Sequence, residues 1–267
     1  MDVIWQTERI RKRVEKLAYE MKQYRLLALD LDGTLLNDRS EVSETNAEWI
    51  RHAVEAGVLV CASTGRGFQG ALPIVEKLGL DSPMITVNGG EIWNKPHELH
   101  RRTTLDAGKV IRLHEVAANH PDVWFWAYST EGLFNKEMWT DEPAAKEWLK
   151  FGYYTEDVAQ LKDILTEISA WDGLEITNSS PFNIEVNPQG VSKATGLMEL
   201  CRLKGFEMSE VVSVGDSLND IAAIRASGLG VAMGNAQDEV KLAANAVTGT
   251  NQEDGVAQVI RQYVLRT

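Results

Sequence analysis

The chain has 267 residues, 44% hydrophobic and 25% charged, enough for one large domain or two ordinary ones with cores that need no staples. A net charge of −12 argues against nucleic acid or an anionic membrane surface as the main partner. No apolar run approaches the ~20 residues of a membrane-spanning helix, the charged N-terminus lacks the apolar stretch of a secretory signal, and two cysteines, Cys61 and Cys201, suit a reducing, cytoplasmic compartment.

Residues 3–24 read as an amphipathic helix, with Ile10, Val14, Leu17, Met21 and Tyr24 forming an apolar seam at helical spacing. Docking on its own domain is the plainest use of such a seam; a homodimer through this N-terminal helix and membrane-surface binding are the alternatives. Residues 1–25 hold seven Lys+Arg against four Asp+Glu, a balance of +3, so the remainder carries −15.

Leu26 to Leu29 is an apolar run without alternation, the signature of a strand buried on both faces in a parallel sheet. It runs into Asp30-Leu31-Asp32-Gly33-Thr34. Residues two apart in an extended segment share a side, so Asp30 and Asp32 are expected to leave the strand together, with Gly33 turning the chain beneath them. Two such charges repel unless a cation or a proton lies between them. An isolated Asp-Gly would be ordinary turn chemistry.

A helix is predicted from Ser43, its N-cap, to Ala56, with Gly57 just past the end. The strand Val58–Ala62 follows, then Ser63-Thr64-Gly65-Arg66-Gly67, a helix to about Leu78, and the strand Met84–Val87. This alternation implies parallel strands joined by right-handed crossovers. Near Asn88-Gly89-Gly90 the pattern changes. A hairpin (91–93 with 99–103), a helix over 106–119, strands at 123–128 and after Gly132, helices near 143–150 and 156–170, and strands at 174–177 and 182–186 form an α+β insertion over 89–188. Six of the eight tryptophans lie in it, and Trp124, Trp126 and Tyr128 share one face of a strand; core packing of the insertion is the first reading, and contact with a ligand the second. The α/β rhythm resumes with a helix over 192–204, the strand Val211–Val214, a helix to about Ser227, a strand at 230–233, and helices at 237–244 and 255–265.

Three later segments offer partners for Asp30. Thr64 and the backbone N–H groups after it can hold phosphate oxygens at a strand end, unless Ser63 or Thr64 merely caps the helix. Lys193 opens a helix, a position where lysine is usually solvated. Gly215-Asp216-Ser217-Leu218-Asn219-Asp220 ends a strand with two acids four apart; Asp216 could simply be an N-cap. Oxygen-rich ligands with few nitrogens or thiols match Mg²⁺. The string Gly65-Arg66-Gly67-Phe68-Gln69-Gly70 also spells the dinucleotide signature G-x-G-x-x-G, with Glu91 downstream, but in the second strand–helix unit and with no use for Asp30, Asp32 or Asp216.

Taken in this order, Asp30-Leu31-Asp32-Gly33-Thr34, Thr64, Lys193 and Gly215–Asp220 resemble the four motifs of the haloacid dehalogenase (HAD) superfamily of phosphohydrolases. With Thr64-Gly65-Arg66 and Gly215–Ile221 the chain most resembles the Cof-type phosphatases, the branch with a large α/β cap between the second and third motifs. The resemblance covers residues 25–267 and implies an α/β fold: a Rossmann-like parallel-sheet core (25–88 and 189–267) with an inserted α+β cap domain (89–188), behind the helical extension 1–24. It implies a phosphatase acting on a small phosphate ester, either a sugar phosphate or a vitamin or flavin phosphate. Asp30 would be the nucleophile and Asp32 the acid and base. Mg²⁺ would be held by the Asp30 carboxylate, the Asp32 backbone carbonyl and Asp216, with Asp220 in support. The phosphoryl oxygens would be bound by Thr64, Gly65, Lys193, Asn219 and the Leu31 backbone N–H. A bound cation would reconcile a −12 chain with an anionic substrate. A phosphomutase of the same superfamily, a non-catalytic binding protein built on the same fold, and a dinucleotide-binding oxidoreductase are the competing readings.

Overall fold

The structure, a computed structural model, describes residues 24–267. The helix expected over 3–24, and any dimer built on it, lies outside the described residues except for Tyr24, which is buried.

Two sheets organise the chain. The first begins with β1 (Leu26–Leu29), β2 (Leu59–Ser63), β3 (Met84–Thr86), β4 (Glu91–Lys95) and β5 (Glu98–Arg102), with α1 (Glu44–Glu55) and α2 (Phe68–Lys77) as the early crossovers. Next, α3 (Ala107–Ala118) leads into β6 (Trp124–Ser129), β7 (Gly132–Asn135), β8 (Trp148–Tyr154), α4 (Val158–Ile168), β9 (Leu174–Thr177) and β10 (Asn183–Pro188). The chain returns to the first sheet through α5 (Lys193–Lys204), β11 (Val211–Gly215), α6 (Ile221–Ala226), β12 (Leu229–Ala232), α7 (Asp238–Ala243) and β13 (Ala246–Val247), and closes with α8 (Gly255–Val259), which widens into π turns to Leu265.

The first sheet has the order β13-β12-β11-β1-β2-β3-β4-β5, parallel from β13 to β3 and antiparallel beyond. β1 lies between β11 and β2, with Leu26 opposite both Val211 and Leu59. The order reverses at this point, so the residues following β1, β2 and β11 open onto one crevice at the strands' carboxyl ends. All four residues of β1 are buried, as a strand covered by helices on both faces requires. The second sheet is antiparallel, with the order β7-β6-β8-β10-β9. Its outer face packs Phe125, Phe151, Tyr153 and Val186 against Val110 and Leu113 of α3 and Ile164 of α4, a core separate from that of the first sheet.

Most expected elements are present within a residue or two, and Ser43 and Ser192 cap their helices through their side chains. Two expectations are corrected. The helix near 143–150 is a short 3₁₀ turn at Pro143–Ala145 followed by β8, whose Trp148, Leu149, Lys150 and Phe151 are all buried between β6 and β10. A central strand buried on both faces lacks the alternation that would distinguish it from a helix. The hairpin Glu91–Arg102, assigned by sequence to the insertion from residue 89, is the antiparallel edge of the core sheet; the second sheet and its helices begin only after Thr103. Trp93 accordingly belongs to the first core, stacked on Phe68 at 4.0 Å.

Phe151 is fully buried at the centre of the second core. Phe151→Ala is expected to destabilise that unit by about 3–5 kcal/mol, seen as a lowered urea midpoint in the transition reported by tryptophan fluorescence; an unchanged midpoint would contradict the packing described.

Candidate functional site

The sequence motifs meet at the crevice. Lys193, the first residue of α5, donates from Nζ to Asp30 Oδ1 at 2.6 Å and to Asp220 Oδ1 at 2.7 Å. Its ammonium is almost wholly buried, as are both partner carboxylates. Asp216 completes the group: oxygens of Asp30, Asp216 and Asp220 lie within 4.8 Å of one another. The four residues come from the ends of β1 and β11 and from the return into the first sheet, brought together by sheet order alone.

Each carboxylate is held differently. Asp220 Oδ2 accepts from the backbone N–H groups of Asp216 and Ser217 at 3.0 and 3.1 Å while Oδ1 accepts from Lys193, so both its oxygens are engaged. Asp216 accepts from Thr34 Oγ1 at 3.1 Å and from Ser217 Oγ at 2.9 Å. Asp30 has Oδ1 on Lys193 and lines the cleft, leaving Oδ2 for what enters there. Asp216 is thus no simple N-cap, and neither is Thr64: α2 is capped by Gly67, and Thr64 Oγ1 accepts from the Arg66 N–H.

The charge balance is unfavourable as it stands. Three carboxylates face one ammonium in a low-dielectric pocket. Burial pushes the Asp30 carboxyl well above the usual carboxylate range, Lys193 opposes this, and Asp220 and Asp216 add to it. Asp216 is pushed up to about 6, by burial first and then by Asp220. Burial works against the Lys193 ammonium, but Asp220 and Asp30 outweigh it and raise its pKa above the ordinary lysine value. An excess of negative charge on oxygen donors, with no nitrogen or sulfur ligand in the group, fits a hard divalent cation such as Mg²⁺. Asp30 Oδ2 and the Asp216 oxygens, each accepting from one hydroxyl, have the most to offer it; Asp220, with three donors on its two oxygens, acts in support.

Regular strand ends at Leu29 and the chain turns beyond it, and Asp32 stands outside the group formed by Asp30, Asp216 and Asp220. It is half exposed and accepts from Arg66 Nε at 2.7 Å and from a second Arg66 nitrogen at 2.5 Å, each to its own oxygen. It still lines the same cleft as Asp30, Thr64, Gly65 and Asn219. Leu31 is buried between the two aspartates. Asn219 donates to Asn88 Oδ1 at 3.3 Å, while its own Oδ1 is buried without a partner among the described residues. The dinucleotide reading fails on geometry: Arg66 is committed to Asp32, and Glu91 is buried, accepting from Arg102 at 2.7 Å and from Thr86 at 3.0 Å.

The cleft, about 390 Å³, lies between the two sheets. Trp124, Trp126 and Tyr128 line it, contrary to the reading of them as core of the insertion. Their neighbours Phe125 and Ala127 take the core side instead, which the period-two pattern of β6 requires. Two charged lining residues were not singled out from sequence: Lys150 on β8 and Glu185 on β10, paired at 2.8 Å and both buried. Burial holds Lys150 below the ordinary lysine value despite Glu185. A lone Lys or Glu inside an apolar strand, as in Leu149-Lys150-Phe151 and Ile184-Glu185-Val186, was the available signal; for Lys150 the helical reading of 143–150 obscured it.

Comparison with known proteins follows the same lines. The sequence model of the family described as haloacid dehalogenase-like hydrolase matches residues 27–260. The 5-amino-6-(5-phospho-D-ribitylamino)uracil phosphatase YcsE of Bacillus subtilis is 44% identical over 241 residues, covering 90% of this chain and 96% of that protein. The pyridoxal phosphate phosphatase YbhA of Escherichia coli is 30% identical over 274 residues, covering 90% and 99%. Among solved structures, a haloacid dehalogenase-like hydrolase from Bacteroides thetaiotaomicron superposes with a TM-score of 0.77 at 30% identity, over 90% of this chain and 99% of that one.

Gly33 has φ +75°, and a Cβ there would lie 2.5 Å from Asp216 Oδ2. Gly33→Ala is therefore expected to cost about 1–3 kcal/mol of stability and to displace Asp216. Thermal denaturation and calorimetric Mg²⁺ titration check this; unchanged Tm and Mg²⁺ affinity would contradict it.

Proposed function

This chain belongs to the haloacid dehalogenase-like hydrolase family, and from that membership we propose that it is a Mg²⁺-dependent phosphatase that hydrolyses a small phosphorylated metabolite through an aspartyl-phosphate on Asp30. The observation that carries the reading is the buried Lys193 ammonium joining Asp30 to Asp220, with Asp216 beside them, where Asp30 itself lines a metabolite-sized cleft.

Asp30 Oδ2 attacks phosphorus as the ester bond breaks; a carboxylate nucleophile divides a difficult displacement into two easier ones. Lys193 keeps Asp30 oriented and places positive charge beside the transferring group. Thr64 Oγ1 and the N–H groups of Gly65 and Leu31 receive phosphoryl oxygens, with Asn219 at the opposite wall. Asp32 gives its proton to the departing alkoxide, then takes one from the water that hydrolyses the aspartyl-phosphate and frees Asp30. Both Asp32 oxygens accept from Arg66 in this structure, so carrying a proton requires the guanidinium to release one of them. The Asp30 carboxylate, the Asp32 backbone carbonyl and Asp216 would hold Mg²⁺, which would supply the charge neutralisation that lets an anionic ester approach acidic residues.

The aromatic wall selects the leaving group. The Trp124 and Trp126 rings stack at 5.6 Å, and the Trp126 ring lies over Gly152, where any side chain would collide with it. A flat heterocycle on the leaving group suits this face. The named substrates of the two relatives above carry one, and we assign this chain a heterocyclic vitamin or flavin-precursor phosphate in preference to a plain sugar phosphate.

Phosphate release from 4-nitrophenyl phosphate and from a panel of metabolite phosphates tests the reading. Asp32→Asn is expected to lower turnover about 10²–10⁴-fold, and Asp30→Asn to abolish it. EDTA is expected to stop the wild type and added Mg²⁺ to restore it. Turnover retained by Asp30→Asn, or surviving EDTA, would overturn the mechanism. Trp126→Ala is expected to raise KM for heterocyclic phosphates about 10-fold, in line with one lost stacking contact, with a smaller effect on glycerol phosphate; equal effects would remove the aromatic wall from substrate selection.

A further inference from the structure

The hydrolytic steps make no use of the buried pair Lys150–Glu185, although it lines the cleft with Asp30, Asp32 and Thr64. Taking two charges out of water is costly, and an apolar pair of similar volume would hold the sheet as well or better. The pair is also incompletely used by the protein. Lys150 Nζ donates to Glu185 Oε1 at 2.8 Å and to the Gly65 carbonyl at 3.0 Å. An ammonium has three N–H groups, so one has no acceptor among the described residues. Glu185 is fixed from other sides: Ser179 Oγ donates to Oε1 at 2.8 Å and Asn88 Nδ2 to Oε2 at 2.7 Å. Oε2 therefore keeps one acceptor position.

Position adds direction. Gly65 follows β2 in the phosphate-binding turn, so its carbonyl ties Lys150 to the place where phosphorus would sit, while Lys150 itself belongs to the second sheet. Lys150 is opposite Tyr128 in the β6–β8 register, and Glu185 is opposite Gly152, on which Trp126 lies. The pair thus stands between the phosphoryl end of the cleft and its aromatic wall, at the level of the chain that joins a phosphate to a ring. One spare donor beside one spare acceptor is the complement of a hydroxyl group.

We propose that Lys150, seated by Glu185, is a specificity-determining residue that hydrogen-bonds a hydroxyl on the carbon chain between phosphate and heterocycle, so that the enzyme favours polyol-linked over plain alkyl-linked heterocyclic phosphates. The proposal rests on the phosphatase reading and deepens it.

The test compares riboflavin 5′-phosphate with its analogue bearing a hydroxyl-free pentyl chain, alongside 4-nitrophenyl phosphate. Wild type is expected to prefer the ribityl ester in kcat/KM by about 10- to 100-fold, the worth of a hydrogen bond to a charged group. Lys150→Met is expected to erase that preference, chiefly through KM, and Lys150→Arg to keep part of it. Should Lys150→Met fold poorly because Glu185 is left buried and unpaired, the double variant Lys150→Met/Glu185→Gln removes both charges and is expected to show the same loss of preference. A wild type that cleaves 4-nitrophenyl phosphate yet shows no preference, or cleaves neither flavin ester, overturns the proposal and leaves the phosphatase reading intact. So does a preference that survives in both methionine variants. A wild type inactive on all three esters, with Mg²⁺ present, overturns the reading itself.

Discussion

One ammonium group between two carboxylates holds this site together. Lys193 reaches Asp30 at 2.6 Å and Asp220 at 2.7 Å from the start of α5. Without it, two buried acids and a half-buried third would face one another with no compensating charge, a cost of several kcal/mol per buried ion. With it, the cluster is still short of positive charge, which is the condition that favours a divalent cation and, with the cation, an anionic ester. The acids are there because β1 lies between β2 and β11, and that order places three strand ends on one crevice.

The second sheet contributes the other half of the enclosure. Its outer face is an ordinary apolar core, but its inner face carries aromatic rings on β6 and a charged pair on β8 and β10. The two sheets are joined across the cleft by hydrogen bonds rather than by apolar packing alone: Asn88 with Glu185, Lys150 with Gly65, Ser217 with Ser179, and Asn219 with Asn178. Polar contacts of this kind hold a closed arrangement while exchanging readily with water or ligand, as interfaces within a chain tend to.

Much of this was legible in the sequence because the chemistry sits at strand ends, and strand ends in a parallel sheet announce themselves as an apolar run followed by Gly, Asp or Thr. Asp30, Thr64 and Asp216 all have that context. Lys193 gained meaning only from the others, since a lysine at a helix start is ordinarily solvated. The rest depended on distance in space. The helix expected near 143–150 and the strand found there share an apolar run, and only pairing with β6 and β10 decides between them. The hairpin 91–102 looks the same whether it joins the core sheet or the insertion. Trp124 and Trp126 were correctly placed on one face of a strand, but which face met the cleft was set by α3 packing on the other.

Whether Asp30 takes the phosphoryl group is read from a crystal structure with Mg²⁺ and beryllium trifluoride, a mimic of a phosphorylated carboxylate. Beryllium is expected on an Asp30 carboxylate oxygen, with its fluorines met by Lys193, Thr64 and the Gly65 N–H, and the metal on Asp30 and Asp216. A fluoride complex seated elsewhere in the cleft, or a metal that leaves Asp30 uncoordinated, would contradict that placement.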